Sequence, residues 1–195
     1  MKVSIIKYNA GNIQSVLFAL ERIGVTALVT DDVEVLQKSD KVIFPGVGEA
    51  SSAMHYLKER KLDEVIVNLK QPVLGICLGM QLLCKSSEEG KTKCLGIFDN
   101  QIKLFTGDIK VPQIGWNTIY DLKTNLFEGI KENEYMYLVH SYYAEISNHT
   151  ISKTDYGIKY STSLQKNNFY GVQFHPEKSS DAGQTILENF IRFTK

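Results

Sequence analysis

Of the three cysteines in this chain, Cys77, Cys84 and Cys94, one has a setting suited to covalent chemistry. Gly75-Ile76-Cys77-Leu78-Gly79 joins the continuous apolar run Val73 to Ile76, which reads as a buried strand, to a helix expected from Leu78 to about Lys85. A residue on such a strand-to-helix turn is held in strained backbone with its side chain projected, and flanking glycines let neighbouring segments approach closely. This is the elbow of G-x-S-x-G hydrolases with sulfur in place of oxygen. A helix N-terminus also favours the thiolate, the nucleophilic form. The competing reading is a small buried hydrophobe after a strand. That reading suits Cys84, seven residues on in the same helix, and Cys94, in a turn-rich segment without a partner.

A thiol that passes a proton to a leaving amine needs a base held in one tautomer. His55 falls within a helix and His149 in the polar turn Ser147-Asn148-His149-Thr150, and both read as surface residues. His175 ends the run Phe169 to Phe174, and Pro176 stops the strand, so its ring is projected at a strand end. Glu177, two residues on, can turn back to the second ring nitrogen and fix the tautomer. Without a nucleophile nearby, His-Pro-Glu would be only a strand terminus. The third requirement is donors for a tetrahedral oxyanion. The loop Gly46-Val47-Gly48, after the strand Val42 to Phe44, offers backbone N–H groups at the carboxyl edge of a sheet, and the amide of Leu78 is the natural second donor. A dinucleotide fingerprint does not fit this loop, because Ser51 occupies the place of the third glycine and no acidic strand end follows.

These residues need a sheet to position them. The first half alternates short β-rich runs with amphipathic stretches, the pattern of βαβ units around a parallel sheet. Strands are expected at Val3 to Ile6, Ala27 to Val29, Val42 to Phe44 and Val73 to Ile76. Helices are expected from Ile13 to Ile23, closed by Gly24, over Val33 to Gln37, from near Ala50, and around Leu62 to Leu69. From about residue 95 the runs shorten and alternate: Gln101 to Phe105, Thr118 to Leu122, Tyr137 to Val139, Ile158 to Ser161 and Phe169 to Phe174. These read as antiparallel strands and hairpins added to the parallel core, with a terminal amphipathic helix over Ala182 to Phe193.

Composition sets the remaining bounds. The 195 residues suit one domain over 1–195. Lys plus Arg and Asp plus Glu are both 22, giving zero net charge, which argues against a nucleic-acid partner. The longest apolar stretch, Val73 to Met80, is far short of the roughly 20 residues of a bilayer span, so no membrane association is expected. Met1 to Ile6 reads as a first strand rather than a signal peptide, and a cytoplasmic protein is expected. Cysteine spacings match neither a zinc site nor a disulfide framework; no metal and no cofactor is expected.

Taken together the motifs resemble the class I (triad) glutamine amidotransferases, and within them the glutaminase subunits of imidazole glycerol phosphate synthase. The resemblance runs through Tyr8-Asn9-Ala10-Gly11-Asn12 with Ser15-Val16, Pro45-Gly46-Val47-Gly48, Gly75-Ile76-Cys77-Leu78-Gly79-Met80-Gln81, Gly115-Trp116-Asn117, His140-Ser141-Tyr142 and Gln173-Phe174-His175-Pro176-Glu177-Lys178-Ser179. It implies a flavodoxin-like α/β fold in which Cys77 attacks the side-chain amide of L-glutamine, His175 shuttles the proton to departing ammonia and Glu177 orients His175. It implies an oxyanion hole from the Val47 and Leu78 amides, with Gly46, Gly48, Gln81, Glu89, Ser141 and Tyr142 around the substrate. Read from the residues alone, Glu89 in Ser86-Ser87-Glu88-Glu89-Gly90 could equally be a solvated helix end. The resemblance further implies a separate (β/α)-barrel cyclase that takes the ammonia in histidine biosynthesis, giving imidazole glycerol phosphate and a purine-pathway carboxamide. Trp116, on a Gly-flanked turn, and Lys178 are the expected docking residues, although Trp116 could instead fill the core. Two departures stand out: Gln113 where the family usually has His, and Lys7 where it commonly has Asp. They leave open an ammonia donor for nucleotide-sugar amidation, beside a free-standing thiol hydrolase and a binding module with a buried Cys77.

Overall fold

A computed structural model describes residues 1–9 and 11–192. The alternating first half folds as β1 (Val3–Ile6), α1 (Ile13–Arg22), β2 (Ala27–Thr30), α2 (Val33–Gln37), β3 (Lys41–Phe44), α3 (Ala50–Glu59), α4 (Leu62–Asn68), β4 (Val73–Ile76) and α5 (Leu78–Leu83). Then come β5 (Ser86–Ser87), β6 (Thr92–Lys93), β7 (Gln101–Leu104), β8 (Gln113–Ile119), β9 (Glu134–His140), β10 (Tyr142–Ala144), β11 (Thr150–Tyr156), β12 (Ile158–Lys166), β13 (Phe169–Val172) and α6 (Ser180–Arg192). Short 3₁₀ turns lie at Glu89–Lys91, Asn125–Phe127 and Pro176–Lys178.

The main sheet has the order β2-β1-β3-β4-β13-β12-β10-β7-β5-β6, with β11 paired to β12, while β8 and β9 form a separate antiparallel pair. From β2 to β13 neighbours run parallel. Period-two alternation divides the core: Ile6 and Phe44 join α3, α4 and α5 on one face, and their neighbours Ile5 and Ile43 join α1 and α6 on the other. Both faces are covered, so the central strands read as continuous apolar runs. No described helix is long and apolar enough to cross a membrane.

Several second-half expectations need correction. The sequence pattern groups Phe169 to Phe174 with the antiparallel additions, yet β13 pairs parallel with β4 and turns antiparallel only toward β12. The strand expected over Thr118 to Leu122 begins at Gln113, which places Trp116 in β8 rather than in a turn. Tyr137 to Val139 and Ile158 to Ser161 are the middles of longer strands. The pattern predicts neither β10 nor β11. In β11 the buried residues include Ser152 and Thr154, and hydroxyl pairs join the strands, Thr150 Oγ1 to Ser161 Oγ at 2.8 Å and Ser152 Oγ to Thr162 Oγ1 at 2.9 Å. A strand whose inward face is satisfied by hydroxyl pairs carries no apolar alternation to read. The last helix begins at Ser180, two residues before its expected start, and the expected last residue, Phe193, lies outside the described residues.

Candidate active site

The carboxyl ends of three adjacent parallel strands, β3, β4 and β13, deliver the loop at Gly46, the thiol of Cys77 and the ring of His175 to one edge of the sheet. Cys77 sits at φ 52°, ψ −109°, a left-handed backbone rarely occupied by a residue with a Cβ. It is pinned on both sides. Its N–H donates to Val172 O at 2.8 Å, and its carbonyl accepts from Gln81 N at 3.2 Å. The flanking glycines are required by contact. A Cβ on Gly79 would lie 1.7 Å from Phe44 O, and one on Gly75 would lie 2.8 Å from Met80 N. Cys84, at the C-terminal end of α5, and Cys94 are buried and free, in keeping with small hydrophobes.

His175 is almost wholly buried, its N–H donating to Tyr137 O at 2.9 Å and its Nδ1 lying 2.7 Å from Glu177 Oε1. That bond leaves Nε2 for the thiol. Burial opposes charge on this ring, but hydrogen bonds with Cys77 and Glu177 outweigh it and push the imidazole up to about 10. Glu177, its side chain fully enclosed, has a second partner that the sequence did not flag for this role: Asn12 donates from Nδ2 to the same Oε1. Asn12 stands at the N-terminus of α1 with φ 72° and does not cap its own helix, so its amide is free for Glu177. The other two histidines divide. His55 is exposed and pairs with Glu59, as expected, but His149 is only partly exposed, lying 3.2 Å from Asp99 Oδ2 and 6.0 Å from the Phe98 ring.

A buried relay runs beneath the thiol. Gln81 Nε2 donates to Tyr142 O at 3.0 Å and to Gln173 Oε1 at 2.9 Å, and Gln173 Nε2 faces Cys77 Sγ at 3.6 Å. His140 also reaches Tyr142 O, from Nδ1 at 2.7 Å, while its Nε2 lies 3.2 Å from the hydroxyl of Tyr160. Burial, aided by the nearby charge of His175 and opposed by the Tyr142 bond, lowers His140 to about 4 and keeps it neutral. Tyr160 in turn meets Gln113 Oε1 at 2.9 Å, so the residue that departs from the family pattern is an interior one. His140 and Gln173 were visible only as letters inside longer motifs.

The expected oxyanion donors are close to each other but are not assembled. Leu78 N–H donates to the carbonyl of Gly46 at 3.2 Å. Gly46 C=O and Val47 N–H belong to one trans peptide and point in opposite directions, so this bond both occupies the Leu78 donor and turns the Val47 donor away. Below the loop, Tyr8 Oη donates to Pro45 O at 2.6 Å, and a Cβ on Gly46 would lie 2.0 Å from that hydroxyl. Gly48, at φ 121°, supplies the freedom on the far side.

A cavity of about 340 Å³ opens over Cys77 and His175. Val47, Gly48, Leu78, Gln81, Glu89, Ser141, Tyr142 and Lys178 all line it, whereas Gly46 lies buried behind the loop. Glu89 is not a solvated helix end: it is half-buried. It lines the cavity, and its Oε2 accepts from Ala50 N at 2.7 Å, holding the start of α3. Burial and the neighbouring Glu49 raise this carboxyl above its usual range against the pull of that bond. Trp116 is 51% exposed, with its ring 5.9 Å from Tyr137 on the β8–β9 pair, so it does not fill the core. A larger groove of about 560 Å³ lies along β2 and α2, but it holds no thiol or imidazole.

Residues 5–193 match the family model for glutamine amidotransferase class-I. The chain belongs to the class-I glutamine amidotransferases. Among similar proteins in this amidotransferase family, the imidazole glycerol phosphate synthase subunit HisH of Bacteroides fragilis is 57% identical over 194 residues, covering 98% of this chain and 99% of that one. The protein of the same name from Vibrio vulnificus is 45% identical over 198 residues, covering 97% of each. Solved amidotransferase-like structures match with much lower identity. A putative GMP synthase component from Thermoplasma acidophilum has a TM-score of 0.75 at 19% identity, covering 98% of this chain and 92% of that one. PurLQS from Thermotoga maritima has a TM-score of 0.74 at 14% identity, covering 100% and 99%. These two share the overall fold, and the family match makes the chain a glutamine amidotransferase.

Proposed function

We propose that this chain is the glutaminase subunit of an imidazole glycerol phosphate synthase, hydrolysing L-glutamine and passing ammonia to a (β/α)-barrel cyclase of the histidine pathway. The observation that carries the reading is the Cys77, His175 and Glu177 set beneath a cavity of about 340 Å³, in a chain 57% identical over nearly its whole length to a protein of that name. Cys77 Sγ attacks the side-chain amide carbon, and His175 passes the thiol proton to the departing nitrogen. Water then cleaves the γ-glutamyl thioester with His175 as base. Glu177 holds the ring. The Nε2 of Gln81 is committed to Tyr142 and Gln173, so its Oε1 is the atom left to accept from the substrate. Glu89 supplies a carboxylate for the α-ammonium, and Ser141 and Tyr142 supply backbone groups.

The Gly46 to Leu78 bond gives the partner its control. Turning the Gly46–Val47 peptide releases Leu78 N–H and swings Val47 N–H into the site, which completes two donors in one motion. Ile114, Trp116 and Tyr135 are exposed on the β8–β9 pair, and Lys178 lies at the cavity rim; this apolar face is where the barrel docks. That arrangement disfavours a free-standing hydrolase, whose donors would be ready without help. Gln113 faces Tyr160 in the interior, so its departure from His bears on the internal network and not on the acceptor. The whole chain acts as one amidotransferase domain, working in the cytoplasm with its three thiols free. The test is Cys77→Ser in the assembled synthase. Glutamine-dependent synthesis should end while synthesis from ammonium salt stays near wild type; loss of both, with the complex intact, sinks the reading.

A further inference from the structure

The polarity of the buried relay is fixed by one atom. Tyr142 O can only accept, so the Gln81 amide must turn its nitrogen toward it, as His140 Nδ1 does. The same Gln81 nitrogen meets Gln173 at 2.9 Å, so Gln173 must present its oxygen there. Its nitrogen is thereby forced to face Cys77 Sγ, at 3.6 Å. A reversed Gln173 amide would set donor against donor at Gln81 and oxygen against sulfur at Cys77. Gln173 is fully buried and its backbone N–H is held by Thr162 O at 2.8 Å, so its amide is closed off from solvent on its own side of the contact.

We infer that Gln173 is a further catalytic residue, an N–H donor aimed at the nucleophilic sulfur whenever that sulfur carries negative charge. The inference rests on the glutaminase reading for the steps it serves. Before attack, the donor stabilises the thiolate beside protonated His175. During breakdown of the thioester, a water oxygen bonds to the acyl carbon as its proton passes to His175. The carbon–sulfur bond breaks with its electron pair going to Sγ, and Gln173 N–H meets the charge as it forms. The relay also ties this donor to Tyr142 and Gln81 on the cavity wall, so the substrate site and the sulfur share one rigid frame. The titratable groups interacting with the sulfur are His175 after β13, with Glu177 behind it, and Tyr8 after β1, while His140 from β9 acts on His175 and lines the same cavity. None of them is altered by a change at position 173.

Two variants separate donation from scaffolding. Gln173→Leu removes the amide, and Gln173→Glu keeps an oxygen for Gln81 while exchanging the donor for a second oxygen. The full-length chain is alkylated with iodoacetamide across pH and modification of Cys77 is followed by peptide mapping, with thermal melts to verify folding. The midpoint of the alkylation profile should rise by about one pH unit or more in Gln173→Leu, and further in Gln173→Glu, because a donor to a charged acceptor is lost. In the synthase, kcat for glutamine should fall about 10-fold or more, with KM changed by less than about 3-fold. An unmoved midpoint in both folded variants makes Gln173 a scaffold only and overturns the inference. A moved midpoint in a protein whose wild-type synthase does not use glutamine supports the donor and overturns the glutaminase reading instead.

Discussion

The carbonyl of Gly46 accepts a hydrogen bond from the amide of Leu78, the residue next to the nucleophile, at 3.2 Å. Because that carbonyl shares a peptide with Val47 N–H, the bond would work as a latch on both of the proposed oxyanion donors. Tyr8 fixes Pro45 O on one side and Gly48 is permissive on the other, so rotation is confined to a short segment.

The first prediction follows from the latch. The isolated chain should be a poor glutaminase, and the barrel carrying its acceptor nucleotide should raise kcat by at least ~10-fold, a coupling of roughly 1.4 kcal/mol. Steady-state glutamate release from the chain alone, with the barrel, and with barrel plus nucleotide measures it. Full activity of the chain alone would refute the latch.

Thiol selectivity gives a second. Burial raises Cys84 well above the usual thiol range and Cys94 to about 12, so neither supplies thiolate near neutral pH. Cys77 stands beside His175 under the open cavity. A glutamine analogue with an electrophile at the amide carbon should therefore modify Cys77 alone, as read by peptide mapping. Comparable labelling of Cys84 or Cys94 would remove the elbow from the mechanism.

Asn12 supplies a third. Its amide and His175 Nδ1 meet at the same oxygen of Glu177, whose Oε2 is buried without a partner among the described residues. With Asn12→Ala the carboxylate loses its second anchor and the ring its orientation. A hydrogen bond to a charged group is worth about 1.5–3 kcal/mol, which predicts a fall in kcat of at least ~10-fold with KM little changed. Asn12→Asp, which sets one carboxylate against another, should be worse. Wild-type kcat in Asn12→Ala would show that Glu177 needs no help.

The sequence makes the parallel core legible because both its faces are apolar: Ile5, Ile6, Ile43 and Phe44 announce strands whichever way they point. The elbow is legible for a different reason, since Gly75 and Gly79 mark backbone contacts that no other residue could make. Where hydroxyls replace hydrocarbon, as at Ser152, Thr154 and Thr162, pattern fails because pairing satisfies the interior without periodicity in hydropathy. Asn12 and Gln173 stand inside quoted motifs, but their roles are not legible for a related reason. Asn12 reaches Glu177, and Gln173 reaches Cys77 and Gln81, all more than 90 positions away, and composition carries no trace of such bonds. The latch is likewise invisible, because two glycines indicate freedom but not which orientation the peptide takes.

The fourth prediction concerns acid stability. His140 is buried and lowered to about 4, from an ordinary value of 6.5, so between those values the unfolded chain binds a proton that the folded chain refuses. Its contribution is therefore fully present above pH 6.5 and is lost as pH falls toward 4. The shift corresponds to about 3 kcal/mol in full, a large share of a typical domain's stability. His175 runs the other way. Its raised value adds stability that is present below 6.5 and fades as pH climbs toward 10, so the two rings together favour the folded chain near neutrality. His140→Gln keeps polar atoms for Tyr142 and Tyr160 but cannot take up a proton. It should lower stability at pH 7 yet flatten the fall between pH 6.5 and 4, measured by urea denaturation at several pH values. An unchanged acid slope in His140→Gln would assign that loss of stability to other groups.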